Sequence, residues 1–413
     1  MTINKQIEKL SRDVEKEQKT VKKNSKEITH INTVVEKNSK EIIEIKARIN
    51  EKVPRPSVKM GNIEISLRKS YIDPVFTNKT VLTDSTWHYV ELFLKRQKGN
   101  QIKDALNYWN QAKNFFNATG SLDLSSKPLT SYYCFLNATK ALLTYKKIAF
   151  DNNHGVSGES VKDASINILN EQISMHPKGV LSGLCVYLKE PIKTVPVEGK
   201  KKPLPESYTL RDILYNLPYI HRAYNLTFPS QAELFIPIDE PRFVFDKNRK
   251  VGWLELQLEP SYSTRQQFVK TTGFGIDNYY GNSDYYTLRV NKSFYWHAPR
   301  NKPDEKSLEE FIRYYEKHRR RFRYIYSANE LWYIKRTNLK NGIIDRNTLS
   351  LTFAAMHRLS EMSRYDPNTL EEHLVNKSGW LLSEFITKSI YQFIDMISSE
   401  ITGDDFRITG FRT

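Results

Sequence analysis

The sequence predicts an α+β protein: an N-terminal coiled coil, then a mainly helical body with a β-rich middle inserted in it. Three patterns carry that prediction. Residues 3–49 keep an apolar repeat of seven. Residues 84–149, and again the stretch from Asn347 onward, space their apolar side chains as helices do. Between them, apolar and polar residues alternate in short runs, as strands do. Helices that flank a block of strands, instead of alternating with them, mark α+β over α/β.

The stalk comes first. With position a at Ile7, the a series runs Ile7, Val14, Val21, Ile28, Val35, Ile42 and Ile49, every member β-branched. The d series is Ile3, Leu10, Glu17, Asn24, Ile31, Asn38 and Ile45. A seam of this kind over about seven heptads is a coiled coil, a rod of roughly 70 Å at 1.5 Å per residue. The blocks KNSKEITHI (23–31) and KNSKEIIEI (37–45) form an internal repeat that sets Asn24 and Asn38 at equivalent d positions, where they fix register. Leucine fills d only once, so the seam predicts a parallel homo-oligomer, trimer ahead of dimer. The two prolines of VPRPS (53–57) end the helix.

The body follows in order. Met60–Leu67 reads as a lead-in strand. DSTWHYVELFLKRQ, QIKDALNYWNQAKNFFNAT and PLTSYYCFLNATKALLTYKKIAF read as three helices, broken by NHGVSGES. ASINILNEQISM, GVLSGLCVYL, AELFIPI, RFVFD, GWLELQLEP and YYTLRVNKSFYWHA read as strands, with a helix at YTLRDILYNLPYIHRAYNL. DEKSLEEFIRYYEKHRRR is a helix, RFRYIY with LWYIKRT a hairpin, and the rest helical. The expected domains are 1–52, the stalk; 53–83, a linker and lead-in strand; 84–160, the first helical part; 161–300, the β-rich middle with its helical interruption at 208–226; and 301–413, a basic helix–hairpin and the C-terminal helices.

A formal charge of +16 favours an anionic partner, nucleic acid before a membrane surface. Two distant cysteines, Cys134 and Cys185, offer neither a disulfide scaffold nor a zinc site. No apolar run is long enough to span a membrane, and the first thirty residues lack an apolar signal core, so the expected place is the cytoplasm. Walker, Rossmann, H-E-x-x-H and C-x-x-C patterns are lacking, and TTGFGIDNYYGN reads as a turn, so no cofactor and no metal are expected.

Five blocks resemble the bacterial YaaC-like family: TWHYVELFL (86–94), TSYYCFLNATKALL (130–143), HGVSG (154–158), LRDILYNLPYIHRAY (210–224) and LSEMSRYDP (359–367). The resemblance covers roughly residues 84–395. The helix with S-Y-Y-x(4)-A-x-K-A-L-L is also similar to the helical HEPN (higher eukaryote and prokaryote nucleotide-binding) family. That likeness implies a role in phage defence or stress response, or a metal-independent ribonuclease with an R-x(4–6)-H pair. In such a pair histidine moves the 2′-hydroxyl proton and arginine steadies the phosphate. Here Lys140, Lys146 and Lys147 precede His154 where arginine would stand; the one literal match is Arg313 to His318. His154, Lys140, Arg313 and His318 are therefore the catalytic candidates.

SRYDP suggests a helix end at which Arg364 and Tyr365 line a ligand pocket with His154, or lock the helices together. The densest basic segment runs from Arg313 to Lys340, nine cations against Glu316 and Glu330. Arg319, Arg320, Arg321, Arg323, Lys335 and Arg336 are its candidate phosphate contacts. The alternative is a helix end whose cations favour the dipole, running into a hairpin with Phe322, Tyr324 and Tyr326 on a buried face. The favoured function is an oligomeric, non-enzymatic protein that binds nucleic acid or a nucleotide-bearing partner. A ribonuclease, and a scaffold for a protein partner, are the alternatives.

Overall fold

The structure is a computed structural model that describes residues 2–50, 54–194, 196, 203–258, 273–277, 279, 286–327, 331–339 and 341–408. The chain divides into an N-terminal unit and a body that begins at Arg55. The N-terminal unit is one helix, α1 (Thr2–Asn50), ended before the prolines. Its described side chains, 7–42, are all exposed.

The body is α+β. Its helical layer holds α2 (Thr86–Arg96), α3 (Ile102–Thr119), α4 (Lys127–Tyr145), α5 (Val180–Tyr187), α6 (Leu210–Tyr215), α7 (His221–Thr227), α9 (Thr348–Tyr365), α10 (Pro367–Val375) and α11 (Gly379–Thr402). Here α4 is the central element. Twelve of its residues are buried, and its Phe135 stacks on Phe393 of α11 at 4.1 Å. A small antiparallel sheet of β4 (Val156–Ser160), β5 (Glu171–Met175) and β6 (Glu206–Thr209) joins this layer.

A second core lies under a seven-stranded antiparallel sheet. Along it run β12 (Phe322–Ile325), β13 (Leu331–Lys335), β7 (Phe235–Asp246), β8 (Val251–Leu258), β10 (Tyr286–Val290) and β9 (Phe274–Ile276), with β11 (Phe294–Tyr295) on β8. Helix α8 (Glu305–Arg319) covers it with Phe311, Tyr314 and Tyr315. Short strands β1 (Lys59–Met60) and β2 (Ile63–Glu64) pair at the lead-in, turning on Gly61 at φ +62°. Parallel β3 (Val81–Thr83) and β14 (Phe406–Ile408) close the C-terminal end.

Two expectations are corrected. GVLSGLCVYL is helix α5, not a strand: Val180–Cys185 are all buried, so the run shows no period by which to tell strand from helix. The helix expected at 208–226 starts as strand β6 and then breaks at Leu217–Pro218, since a proline disfavours helical backbone at the residue before it. The lead-in strand is reduced to one pair of two-residue strands, β1 and β2. Residues 197–202 and much of TTGFGIDNYYGN lie outside the described residues. Cys134 and Cys185 are buried and unpaired. Among the described residues no helix is long and apolar enough to cross a membrane.

Candidate functional site

The basic segment does run from the end of α8 into the β12–β13 hairpin, but most of its cations face inward. Arg319 is 1 % exposed. Its guanidinium donates to the carbonyls of Arg68 (2.6 Å), Lys69 (2.8 Å) and Phe322 (2.8 Å), and lies 3.9 Å over the Tyr71 ring. Arg323 donates to the carbonyls of Arg320 and Phe322. Lys335 reaches the Ile344 carbonyl, and burial holds its amine well below the usual lysine range. Arg336 reaches the Glu233 carbonyl at 3.1 Å. These four are corrected from phosphate contacts to interior donors, because buried carbonyls at a helix end and a hairpin need partners.

The Arg313 to His318 spacing fails for a geometric reason. Five residues turn a helix through about 140° beyond a full circle, so the two side chains diverge. Arg313 is exposed, 3.6 Å from Glu309. His318 is buried against Tyr314 with no hydrogen bond at either ring nitrogen, and burial pushes its pKa down to about 4.

Of the predicted set, Arg321 is half-buried and stacks 5.4 Å over Phe274; Arg320 reaches solvent. Arg320 lines a cleft of about 370 Å³ with Lys189, Arg313 and Lys317, Glu316 being the one acid there and Tyr71 part of the apolar wall. Its Nη2 is held by the carbonyls of Leu188 (3.2 Å) and Lys189 (3.1 Å). A second cavity of about 530 Å³ shares Lys189 and Arg320 and adds Lys193 and Arg346, with Glu190, Glu206 and Asp345. Lys189 and Lys193 carry no sequence signal; only the turn after α5 brings them to the end of α8.

A different cluster forms around His154. The block HGVSG follows α4, and its glycines answer to packing. Gly155 sits at φ +77°, and a Cβ on it would come 2.9 Å from the Lys178 carbonyl. Gly158 lies so close to α9 that a Cβ would meet Arg358 Cδ at 2.2 Å. The loop is pinned by Leu181 N donating to the His154 carbonyl at 3.1 Å and His176 N to that of Gly155 at 2.9 Å. His154 is thereby set against Tyr132 of α4, with Nδ1 2.5 Å from the hydroxyl. The His154 and His357 rings stand 5.2 Å apart, and Tyr132 meets His357 edge-on at 4.8 Å. Arg364, on α9, donates to Tyr133 Oη at 3.3 Å. Tyr132 and His357 are buried, whereas Tyr133, Lys140, His154, Glu361 and Arg364 are half-buried. The structure thus gathers His154 and Arg364 and leaves Tyr365 76 % exposed, stacked on Arg364 at 4.7 Å. Tyr132, Tyr133, His357 and Glu361 were not anticipated.

Beneath this cluster is a buried ion network. Glu171, 2 % exposed, accepts from Arg358 Nη2 at 2.6 Å, from His373 Nε2 at 3.0 Å and from Ser160. It ties α9 and α10 to the small sheet and so fixes where α9 presents His357, Glu361 and Arg364.

Burial, then the positive charges of Arg364 and Lys140, hold His154 below the usual histidine range. Burial, with His154 and Arg364 nearby, pushes His357 down to about 3. Both rings are neutral at pH 7. Burial pushes the Tyr132 phenol far up, so it keeps its proton. That proton needs an acceptor, and among the described residues His154 Nδ1 is the one in reach. Tyr132 therefore donates to Nδ1, and neutral His154 carries its hydrogen on Nε2. This tautomer offers a donor to the site. It suits holding an anion and does not suit taking a proton from a hydroxyl. Among the described residues no group of three histidine, cysteine or carboxylate side chains is arranged to hold a metal ion.

The family described as YaaC-like Protein matches residues 73–401. No curated protein and no solved structure matches the chain. The matched span holds the whole His154 cluster, the Glu171 network and the cations of the Arg320 cleft, and leaves α1 and Tyr71 outside. All five sequence blocks fall within it, and on that match the chain belongs to the YaaC-like family.

Proposed function

We propose that this YaaC-like chain is an oligomeric nucleic-acid-binding protein with no chemical step. On this reading its copies are joined through a coiled coil at 3–49, and its helical part is HEPN-like. The observation that carries the reading is the open cleft at the end of α8, where Lys317 and Arg320 meet no carboxylate among the described residues, beside Lys189, paired with Glu316 at 3.0 Å, and Arg313, 3.6 Å from Glu309. Clustered cations displace condensed counterions from a phosphate backbone, and the carbonyls that hold Arg320 orient its guanidinium in advance. The test is fluorescence anisotropy with single-stranded RNA and DNA at several salt concentrations. Four phosphate contacts give a slope of log K against log salt of about −3 for a single strand. Lys317→Glu with Arg320→Glu should flatten that slope by about half and weaken binding at least about tenfold at low salt. An unchanged slope in the double variant would defeat the reading.

A metal-independent ribonuclease is the second reading, favoured by the gathering of Lys140 and Arg364 around His154. The Nε2–H tautomer argues against it. Incubation with RNA in EDTA decides: cleavage by the wild type that is lost in His154→Ala would establish the enzyme, and a loss in His318→Ala would return the activity to the buried histidine.

A further inference from the structure

We propose that the side-chain cluster between α4 and α9 is a second anion site, which holds a phosphoryl group through Arg364, the Nε2–H of His154 and the hydroxyl of Tyr133. It shares no lining residue with the Arg320 cleft and does not depend on that cleft binding nucleic acid.

Three features point to a ligand and not to a structural lock. Arg364 has no carboxylate within ion-pair distance among the described residues, and its buried Nε has no hydrogen-bond partner. A cation that only locked helices together would be expected to meet an acid. The nearest candidate, Glu361, stands instead 3.5 Å from Arg358 and 3.6 Å from His357. Second, Tyr133 accepts from Arg364 and stacks on Phe115 at 5.3 Å, so its ring is fixed and its own hydroxyl hydrogen remains to be donated. Third, the Tyr132 bond to Nδ1 puts the hydrogen of neutral His154 on Nε2, a further donor in the cluster. Guanidinium, phenol and imidazole N–H are all donors, and together they suit an oxyanion with several oxygens.

Charge selects among oxyanions. Arg364 has no acid partner among the described residues, and Lys140 lies two turns along α4 from Tyr133 on the same face, so a phosphomonoester, at about −1.5 to −2, balances the two cations where a carboxylate would leave one over. The phosphodiester of a chain interior carries one charge and lacks the terminal oxygens. The ligand class is thus a terminal phosphate, from a free nucleotide or from the 5′ end of a nucleic acid.

Calorimetric titration of the full chain tests this with inorganic phosphate, a 5′-mononucleotide, and one short RNA carrying either a 5′-phosphate or a 5′-hydroxyl. Phosphate and the mononucleotide should bind once per chain. Arg364→Met and His154→Ala should each weaken them by about tenfold or more, while Lys247→Glu, on the exposed turn between β7 and β8, leaves them unchanged. Preference for the 5′-phosphorylated RNA over its hydroxyl twin assigns a nucleic-acid end; equal binding of the two RNAs with tight mononucleotide binding assigns a free nucleotide. Should Arg364→Met lose its circular-dichroism melt, Arg364→Lys keeps the charge, loses the planar fork, and should still bind about threefold or more weakly. Absence of phosphate and mononucleotide binding, or equal affinities in wild type, His154→Ala and the Arg364 variant that folds, would overturn the proposal.

Discussion

Val21→Glu with Ile28→Glu is the perturbation the stalk invites. Within the single chain the a-position side chains from Ile7 to Ile42, with Leu10 and Ile31 at d, are 50–67 % exposed. Full burial of such a side chain is worth about 1.5–3 kcal/mol, so covering the exposed half of these eight yields about 6–12 kcal/mol per helix. A two-stranded assembly gains about twice that, against an association cost of about 4–15 kcal/mol. The two glutamates remove about 2 kcal/mol of burial per helix and place like charges across the seam. In a dimer that is about 4 kcal/mol before any repulsion, or about a thousandfold in the dissociation constant. Light scattering on the full chain at micromolar concentration should give a two- or three-chain mass for the wild type and a one-chain mass for the variant. Lys22→Glu with Lys23→Glu, at the outward b and c positions, should keep the wild-type mass. A variant that keeps its mass, or a wild type that is already monomeric, refutes the coiled-coil reasoning.

The other predictions concern the body. Arg358→Met strands Glu171 with His373 and Ser160 and should cost about 3–5 kcal/mol in urea unfolding; a loss under about 1 kcal/mol would mean the network is not intact in solution. Arg319→Met removes three charge-assisted hydrogen bonds and takes the donor from the Lys69 carbonyl, and should cost about 3–5 kcal/mol with nucleic-acid affinity unaltered, whereas Arg320→Glu should do the reverse. Measured together by denaturation and anisotropy, the two variants separate interior from surface cations. His318 has a folded pKa of about 4 against an ordinary value of 6.5. Above pH 6.5 both states are neutral, but as pH falls toward 4 the unfolded state takes up a proton that the folded state refuses, so this residue's contribution to stability is lost over that window. His318→Phe should therefore lose less stability than the wild type between about pH 7 and pH 4.5; parallel pH profiles would contradict the assigned burial.

What could be read from the sequence divides along the range of the interactions. Helices α2, α3 and α4 were legible because each shows an apolar stripe and stops at a polar or glycine-bearing break, all within its own residues. The β12–β13 hairpin was legible for the same reason. Helix α5 was not, since its first six residues, Val180–Cys185, are all buried and show no period. The burial of Arg319 was equally hidden, because two of its acceptors belong to Arg68 and Lys69 on a segment far up the chain. The pairing of HGVSG with LSEMSRYDP could be suspected from block order, and His154 and Arg364 do meet. The roles of Tyr132 and His357 depend on how α4 and α9 cross, and nothing local records that.

The charge of the chain needs the same separation. Burial removes eight cations, Arg68, Lys69, Arg319, Arg323, Lys335, Arg336, Arg346 and Arg358, and six carboxylates, Glu171, Glu255, Asp395, Glu400, Asp404 and Asp405, among the described residues. The two sets nearly cancel, so burial among the described residues takes only two charges (8 − 6) from the formal +16. The basic segment therefore fails as a motif, while the argument from net charge is untouched. On the proposed reading, what replaces the motif is a diffuse positive field, with a cation-lined cleft at the end of α8. Such a field speeds encounter and binds polyanions with little regard to sequence. On the proposed reading, selectivity comes from a site that counts phosphate oxygens, the role proposed for the donors around His154 and Arg364.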